Sequence, residues 1–249
     1  MEMTFASLRA YGLLGLKFAA KDGSLSLDFL IIGTLICAAI AYLLGGLNFA
    51  IIISRVKYRD DIRKHGSGNA GMTNMMRTYG RAAGIFTLLG DLLKAVVAVL
   101  LTEMLMGEVS AHIAGLACML GHCFPCWYGF KGGKGVAVAA ATILSLEPIV
   151  FLIVLIVFII VVAVTKYISL GSIMGGLMYP LVLKAFYPHT HLPQYYSSLY
   201  FVILICSVLT TLLLLYMHRE NMKRLLAGKE NKFSFKKKGT QNDENINKD

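Results

Sequence analysis

Charge is scarce in this chain: Asp, Glu, Lys and Arg make up 15% of 249 residues, against 57% apolar residues. A soluble domain of this length cannot hide that much apolar surface in one core, so a water-soluble fold is excluded and an integral membrane protein is expected. Acidic residues are the rarer sign, 14 against 24 Lys and Arg. The net charge of +10 would suit a nucleic acid, but the positive residues are confined to a few segments between apolar runs, so they report membrane orientation and no nucleic-acid partner is expected. The first residues lack the basic onset, apolar block and cleavage site of a secretory signal peptide. Residues 1–28, with Glu2 near the start, are read as a short amphipathic or loosely ordered extension. The five cysteines (Cys37, Cys118, Cys123, Cys126, Cys206) lie in or beside apolar runs, where a free thiol behaves as a small hydrophobe. They imply no disulfide framework. No internal repeat of solenoid length is present.

Long apolar runs are what the chain does have. Crossing a hydrocarbon core of ~30 Å takes about 20 mostly apolar residues. Residues 29–54, 82–106, 109–128, 170–187 and 197–216 fit. The run 135–165 is broken only by Glu147 and Pro148. Taken as one span, it would leave the loops on its two sides on opposite faces. A turn at Glu147 makes it a short arm and a longer helix, and places Lys166 and the basic C-terminal end on one side, as the charge rule requires. Thinning of the bilayer or burial among neighbours accommodates the short arm. The expected fold is therefore all-α and polytopic, with seven transmembrane helices, the N-terminus outside and the C-terminus cytosolic. Its cytosolic segments are those holding Arg55 to Arg81, Lys131 with Lys134, Lys166, and the stretch from Arg219, while Glu103, Glu108 and Glu147 mark the other face. The expected organisation is an extension (1–28), a membrane domain (29–232) and a polar tail (233–249) too poor in apolar residues to order itself.

Two polar segments on the basic face could hold an anion. In GSGNAGMTNMMR, Gly66 to Arg77, glycines let backbone donors converge, Ser67 and Thr73 add hydroxyls, Asn69 and Asn74 add amides, and Arg77 offers a planar fork. An ordinary helix cap and turn favours the same residue types, and both readings stay open for this segment alone. The second is GHCFPCWYGFKGGKGVAV, Gly121 to Val138, whose glycines lie beside Lys131 and Lys134. It is not a nucleotide P-loop, since Tyr128 stands where glycine is needed and Gly135 where Ser or Thr is needed. Cys118, His122, Cys123 and Cys126 include a CxxC, but no second ligand pair follows at zinc spacing, so no metal or other cofactor is expected. Asp91 and Lys94 share a face inside the second span, where charges must find partners. His218 ends the last span beside Arg219 and Asn221, where an imidazole can meet phosphate oxygen or cap a helix dipole.

Three blocks, GSGNAGMTNMMR, GHCFPCWYGFKGGKGV and HRENMKRLLAGKE, with GDLLK and KYISLGSI in support, resemble the bacterial acyl-phosphate-dependent glycerol-3-phosphate acyltransferases. The likeness runs from the first span to about Lys232. It implies seven membrane helices with an outside N-terminus in the bacterial cell (inner) membrane. Acyl would move from acyl phosphate to the 1-hydroxyl of sn-glycerol 3-phosphate, giving lysophosphatidic acid and phosphate as the first step of phospholipid synthesis. Carried over by motif, Ser67, Arg77, Lys134, Ser172, His218 and Asn221 correspond to catalytic positions. Gly68, Asn69, Thr73, Asn74, Lys131, Gly132, Gly133 and Arg219 are assigned to substrate binding. Departures from the family pattern are Met72 for Ala, Val138 for Thr, Ala95 for Gly, and Gly46, Leu47 and Asn48 in place of a Ser-Ile-Pro-like turn.

Two other classes compete. An organic-phosphate or anion transporter would share many helices and phosphate loops, but should show inverted repeats and broken helices near the bilayer midplane, whereas this chain shows no such symmetry and its polar groups gather on one side. The thioester-using acyltransferases need H-x-x-x-x-D, whereas the fifth residues after the six histidines are Ala70, Ala117, Trp127, Gln194, Tyr196 and Lys223.

Overall fold

A computed structural model describes residues 5–18, 26–190 and 200–232. In chain order its helices are α1 (Phe5–Phe18), α2 (Leu27–Gly45), α3 (Phe49–Tyr58), α4 (Met72–Tyr79), α5 (Arg81–Met106), α6 (Glu108–Cys123), α7 (Val136–Leu146), α8 (Pro148–Thr165), α9 (Ile168–Thr190), α10 (Tyr200–Met217) and α11 (Arg219–Leu226). Single 3-10 turns occur at Ile62–Lys64 and Cys126–Tyr128, and no strand occurs among the described residues. Six stretches are long and apolar enough to cross a membrane: Leu27–Tyr58, Arg81–Met106, Glu108–Tyr128, Pro148–Thr165, Ile168–Phe186 and Tyr200–Met217. The remaining arm, α7, has 11 residues and so reaches only ~16 Å.

Local chemistry sets the boundaries. Gly80 and Gly107, at φ +92° and +82°, turn the chain into α5 and α6. The 135–165 run does turn at Glu147, with Pro148 in the first turn of α8, where its missing N–H is not needed. On α8, Ile149, Leu152, Ile156, Ile159, Ile160 and Val164 are exposed, a face that suits lipid.

The first span is not the continuous helix expected over 29–54; it breaks between α2 and α3. Asn48 caps α3 by accepting from Ile51 N at 3.1 Å and reaches Ala70 O with its amide at 3.3 Å. The carbonyls of Gly45 and Leu47 each accept from Lys94 Nζ at 2.9 Å. Lys94 is itself paired with Asp91 at 2.7 Å and lies 3.0 Å from His122 Nδ1. The buried charges of α5 thus replace backbone partners that the broken helix loses, which is what an intramembrane ion pair needs in order to persist.

Small residues let α2 and α6 approach closely. A Cβ on Gly45 would lie 2.1 Å from Cys118 O, and one on Gly121 2.0 Å from Tyr42 O. Central α5 packs against α6, α4, α7 and α2, while α9 joins α8 to α10.

Within the extension, expected to be short and amphipathic or loosely ordered, residues 5–18 form a helical segment kinked at Gly12 (φ +67°) and docked on α5 and α6. Arg9 of α1 pairs with Glu103, Glu108 and Glu147. Residues 19–25 and the tail 233–249 lie outside the described residues.

Candidate functional site

The basic segments converge at the end of the bundle away from Arg9. Asp61 holds Arg63 through Oδ1 at 2.9 Å and Oδ2 at 2.7 Å. Arg63 then donates to Tyr128 O at 2.7 Å and Lys131 O at 3.1 Å, joining the first polar segment to the second. Arg55 lies over the Tyr128 ring at 5.2 Å and also pairs with Asp61. Hydrogen bonds from Arg63 and Arg55 outweigh burial and keep the Asp61 carboxyl ionised, well below the ordinary carboxylate range.

In the first segment, Asn74 is a strap. Its amide nitrogen donates to the carbonyls of His65 at 2.9 Å, Asn69 at 3.1 Å and Ile62 at 3.3 Å, and its oxygen accepts from Ser67 N at 3.1 Å. The amide is thereby engaged within the loop it shapes. Gly68 takes φ +71°, which places Ser67 on an exposed turn. Asn69 and Thr73 are half-buried beside it, and the Arg77 side chain is exposed at the far end of α4.

The second segment differs from the sequence expectation in one respect. The N–H groups of Gly132 and Gly133 do not face an anion; they donate to Cys123 O at 3.0 Å and His122 O at 3.1 Å, the carbonyls left open at the end of α6. Glycine is required here for close approach. A Cβ on Gly133 would lie 2.1 Å from His122 Nε2 and 2.6 Å from Ala70 O, and one on Gly132 2.0 Å from His122 O. This packing sets the loop that carries the exposed Lys131 and the half-buried Lys134.

Lys134 joins the second block to the third by donating to Asn221 Oδ1. Asn221 Nδ2 donates to Glu230 at 2.8 Å, and Glu230 also accepts from Arg224 at 2.8 Å and Ser169 at 3.0 Å. Burial, then the neighbouring guanidinium groups of Arg224 and Arg77, bring the Lys134 ammonium down to about 8, against the pull of Glu230. For Glu230, burial acts upward, but hydrogen bonds from Arg224, Asn221 and Ser169 outweigh it and hold the carboxyl below its ordinary value.

His218 is buried, with Nδ1 2.8 Å from Leu214 O, which assigns the proton to Nδ1 and leaves Nε2 as an acceptor. Burial lowers its pKa to about 4, so the ring is neutral at neutral pH. Arg219 turns away, stacking on Tyr216 at 4.4 Å and donating to its carbonyl at 3.0 Å. Ser172 is buried, donates to Ile168 O at 3.0 Å, and lines an apolar cavity of about 180 Å³ between α7, α8, α9 and α10.

The structure thus brings together Lys134, His218 and Asn221, with the exposed Arg77 close enough to act on the Lys134 charge and Ser172 at the adjoining cavity. Sequence reasoning passed over Arg63, Arg224 and Glu230. Glu230 had one readable signal, an acid set between Lys229 and Lys232 at the end of a basic block.

A family model described as glycerol-3-phosphate acyltransferase matches residues 35–228. The glycerol-3-phosphate acyltransferase of Thermoanaerobacter pseudethanolicus is 41% identical over 201 residues, covering 80% of this chain and 95% of that protein. That of Clostridioides difficile is 40% identical over 209 residues, covering 82% and 97%. Among solved structures, PlsY (YgiH), an integral membrane glycerol 3-phosphate acyltransferase, superposes in its glycerol 3-phosphate form with a TM-score of 0.72 at 33% identity, covering 81% of this chain and 96% of that one. Its lysophosphatidic acid form gives 0.69 at 32% identity. The chain belongs to the glycerol-3-phosphate acyltransferase family and is an integral membrane enzyme of that activity.

Proposed function

We propose that this enzyme moves an acyl group from acyl phosphate to the 1-hydroxyl of sn-glycerol 3-phosphate, releasing lysophosphatidic acid and inorganic phosphate. The observation that carries the reading is the Lys134–Asn221 hydrogen bond, which joins two blocks far apart in sequence in a cluster holding Arg77, Arg224 and buried neutral His218. Both substrates are phosphates, and this is a cationic site. The donor is also an apolar chain, and the apolar cavity begins beside Ser172.

In this scheme Lys134 and Arg77 hold phosphate, and Ser67 and Ser172 orient the substrates. His218 Nε2 and Asn221 bind glycerol phosphate. Gly68, Asn69, Thr73 and Lys131 border the bound phosphate, Asn74, Gly132 and Gly133 keep the two loops in shape, and Arg219 lies at the rim. The mixed anhydride is already activated, so positioning and charge suffice. The hydroxyl oxygen forms a bond to the acyl carbon, the bond from that carbon to the phosphate oxygen breaks, and the departing phosphate takes the hydroxyl proton.

The long helices with α7 and α8 as a hairpin make seven crossings, N-terminus outside, with the site on the cytosolic face of the bacterial inner membrane. That placement follows from the shared face of the cationic segments. The domain divisions are 1–28, 29–232 and 233–249. Purified protein in detergent, given palmitoyl phosphate and radiolabelled glycerol 3-phosphate, should form lysophosphatidic acid, with none from palmitoyl coenzyme A. Product from the thioester alone would reverse the donor assignment.

A further inference from the structure

The apolar cavity has a direction. Its near end is framed by Val136, Ser172 and Leu214: Val136 follows the loop that carries Lys134, and Leu214 is one turn before His218. Its far end is framed by Ile143 and Tyr179, each seven positions further along its helix than Val136 and Ser172, or ~10 Å at the helical rise. The cavity therefore starts at the phosphate cluster and runs toward the opposite face.

Beyond it lies a second, much smaller pocket of about 10 Å³, with His112, Thr142 and Cys206 in its lining. Ala139, Ile143, Tyr179 and Thr210 border both spaces, so they form the partition between them. Tyr179 is the largest of the four and is buried, a rigid ring with two side-chain torsions. On the near side of the ring, Gly175 and Gly176 line the cavity, and no side chain projects there.

We propose that Tyr179 is the end wall of the acyl groove and sets the longest acyl chain the enzyme uses well. The proposal rests on the acyl-phosphate reading above. A methyl end that reached Tyr179 would stop against the ring; one that passed it would meet a pocket of about 10 Å³, too small to seat further methylenes. Each methylene seated in an apolar groove is worth about fourfold in affinity, so truncating the ring should be visible as a shift in chain-length profile.

The test is kcat/KM for acyl phosphates from lauroyl to arachidoyl, in wild type, Tyr179→Phe, Tyr179→Ala and Gly175→Ala. Tyr179→Phe should keep the wild-type profile. Tyr179→Ala should move the optimum to longer chains, raising the long-to-short ratio roughly fifteen-fold per two-carbon step gained. Gly175→Ala, whose Cβ would sit 3.4 Å from Val154 Cγ1 without clash, narrows the groove and should lower that ratio, which keeps the proposal testable if Tyr179→Ala does not fold. An active Tyr179→Ala enzyme with the wild-type profile, or an unshifted Gly175→Ala where the first variant is lost, would overturn the end-wall role and leave the donor assignment intact. Wild-type protein inactive with every acyl phosphate would instead overturn the donor assignment, and the end wall with it.

Discussion

Arg63 reaches across to Tyr128, donating from Nη1 to its carbonyl at 2.7 Å while the same nitrogen lies 3.1 Å from Lys131 O. With Asp61 holding the other face of the guanidinium, Arg63 is a rivet between the two loops. A lysine has one ammonium and cannot reproduce the planar fork. Arg63→Ala and Arg63→Lys should both lose roughly ten- to a hundred-fold in kcat/KM for glycerol 3-phosphate, from charge-assisted bonds worth about 1.5–3 kcal/mol. Steady-state kinetics on variants with matched melting temperatures checks this. Arg63→Lys with wild-type kinetics would show that the loops hold their own register.

Lys134 gives a pH dependence. Its ammonium is charged below a pKa of about 8 and neutral above, so a role in holding phosphate makes kcat/KM fall as pH rises through that value. Bound phosphate favours the charged form, so the limb in kcat should lie at higher pH than the limb in kcat/KM. His218, neutral above about 4, adds no limb near neutrality. Lys134→Arg, if active, should lose the alkaline limb. An unchanged limb in that variant would assign the titration to another group.

The long helices were legible because hydropathy reports them directly: 82–106 became α5 at Arg81–Met106, and Pro148 marked the start of α8. Hydropathy did not show the break at Gly46–Asn48, where the resemblance alone placed a turn, because the residues around it are apolar on both sides and Lys94, which takes up the freed carbonyls, lies over 40 positions away. The cationic side chains of the site were legible as residue types on one face. Their partners were not: Arg63 and Glu230 read as ordinary loop charges until folding brings Tyr128, Asn221 and Ser169 to them. The same holds for Gly132 and Gly133, where a glycine-rich pattern fits both anion binding and close packing, and only the contacts with His122 and Ala70 separate the two.

Gly133→Ala tests the packing role. Its Cβ would press on a histidine ring and on a backbone carbonyl that cannot rotate away, so the loop must shift. Overpacking of this kind costs about 1–3 kcal/mol. Activity should fall further than stability, since Lys134 is the next residue. A melting temperature lowered by a few degrees, with activity reduced at least tenfold, is the expected pair of measurements, and wild-type activity would show that the loop has slack.

At the opposite end, Arg9 lies 3.4 Å from Glu103, 3.1 Å from Glu108 and 3.8 Å from Glu147, and donates to Leu146 O at 2.7 Å. Its helix precedes the matched residues 35–228, yet its charge sits among acids contributed by the matched part. Burial, then the Glu108 carboxyl, hold Glu147 well above the ordinary carboxylate range, against the pull of Arg9. A carboxyl with a raised folded pKa binds its proton more tightly folded than unfolded. Its contribution is complete below the unfolded value and is lost as pH rises through the folded one. Melting temperature in detergent should therefore decline from mildly acidic to mildly alkaline pH. Arg9→Ala removes the cation that limits the shift, so it should steepen the decline and cost about 3–5 kcal/mol at alkaline pH, the usual penalty for stripping one partner from a buried pair. Glu147→Gln keeps the hydrogen-bonding shape without the ionisation and should flatten the profile in both backgrounds. If Arg9→Ala melts at the wild-type temperature across the range, α1 is a passenger on the bundle and the acids are neutralised by other means.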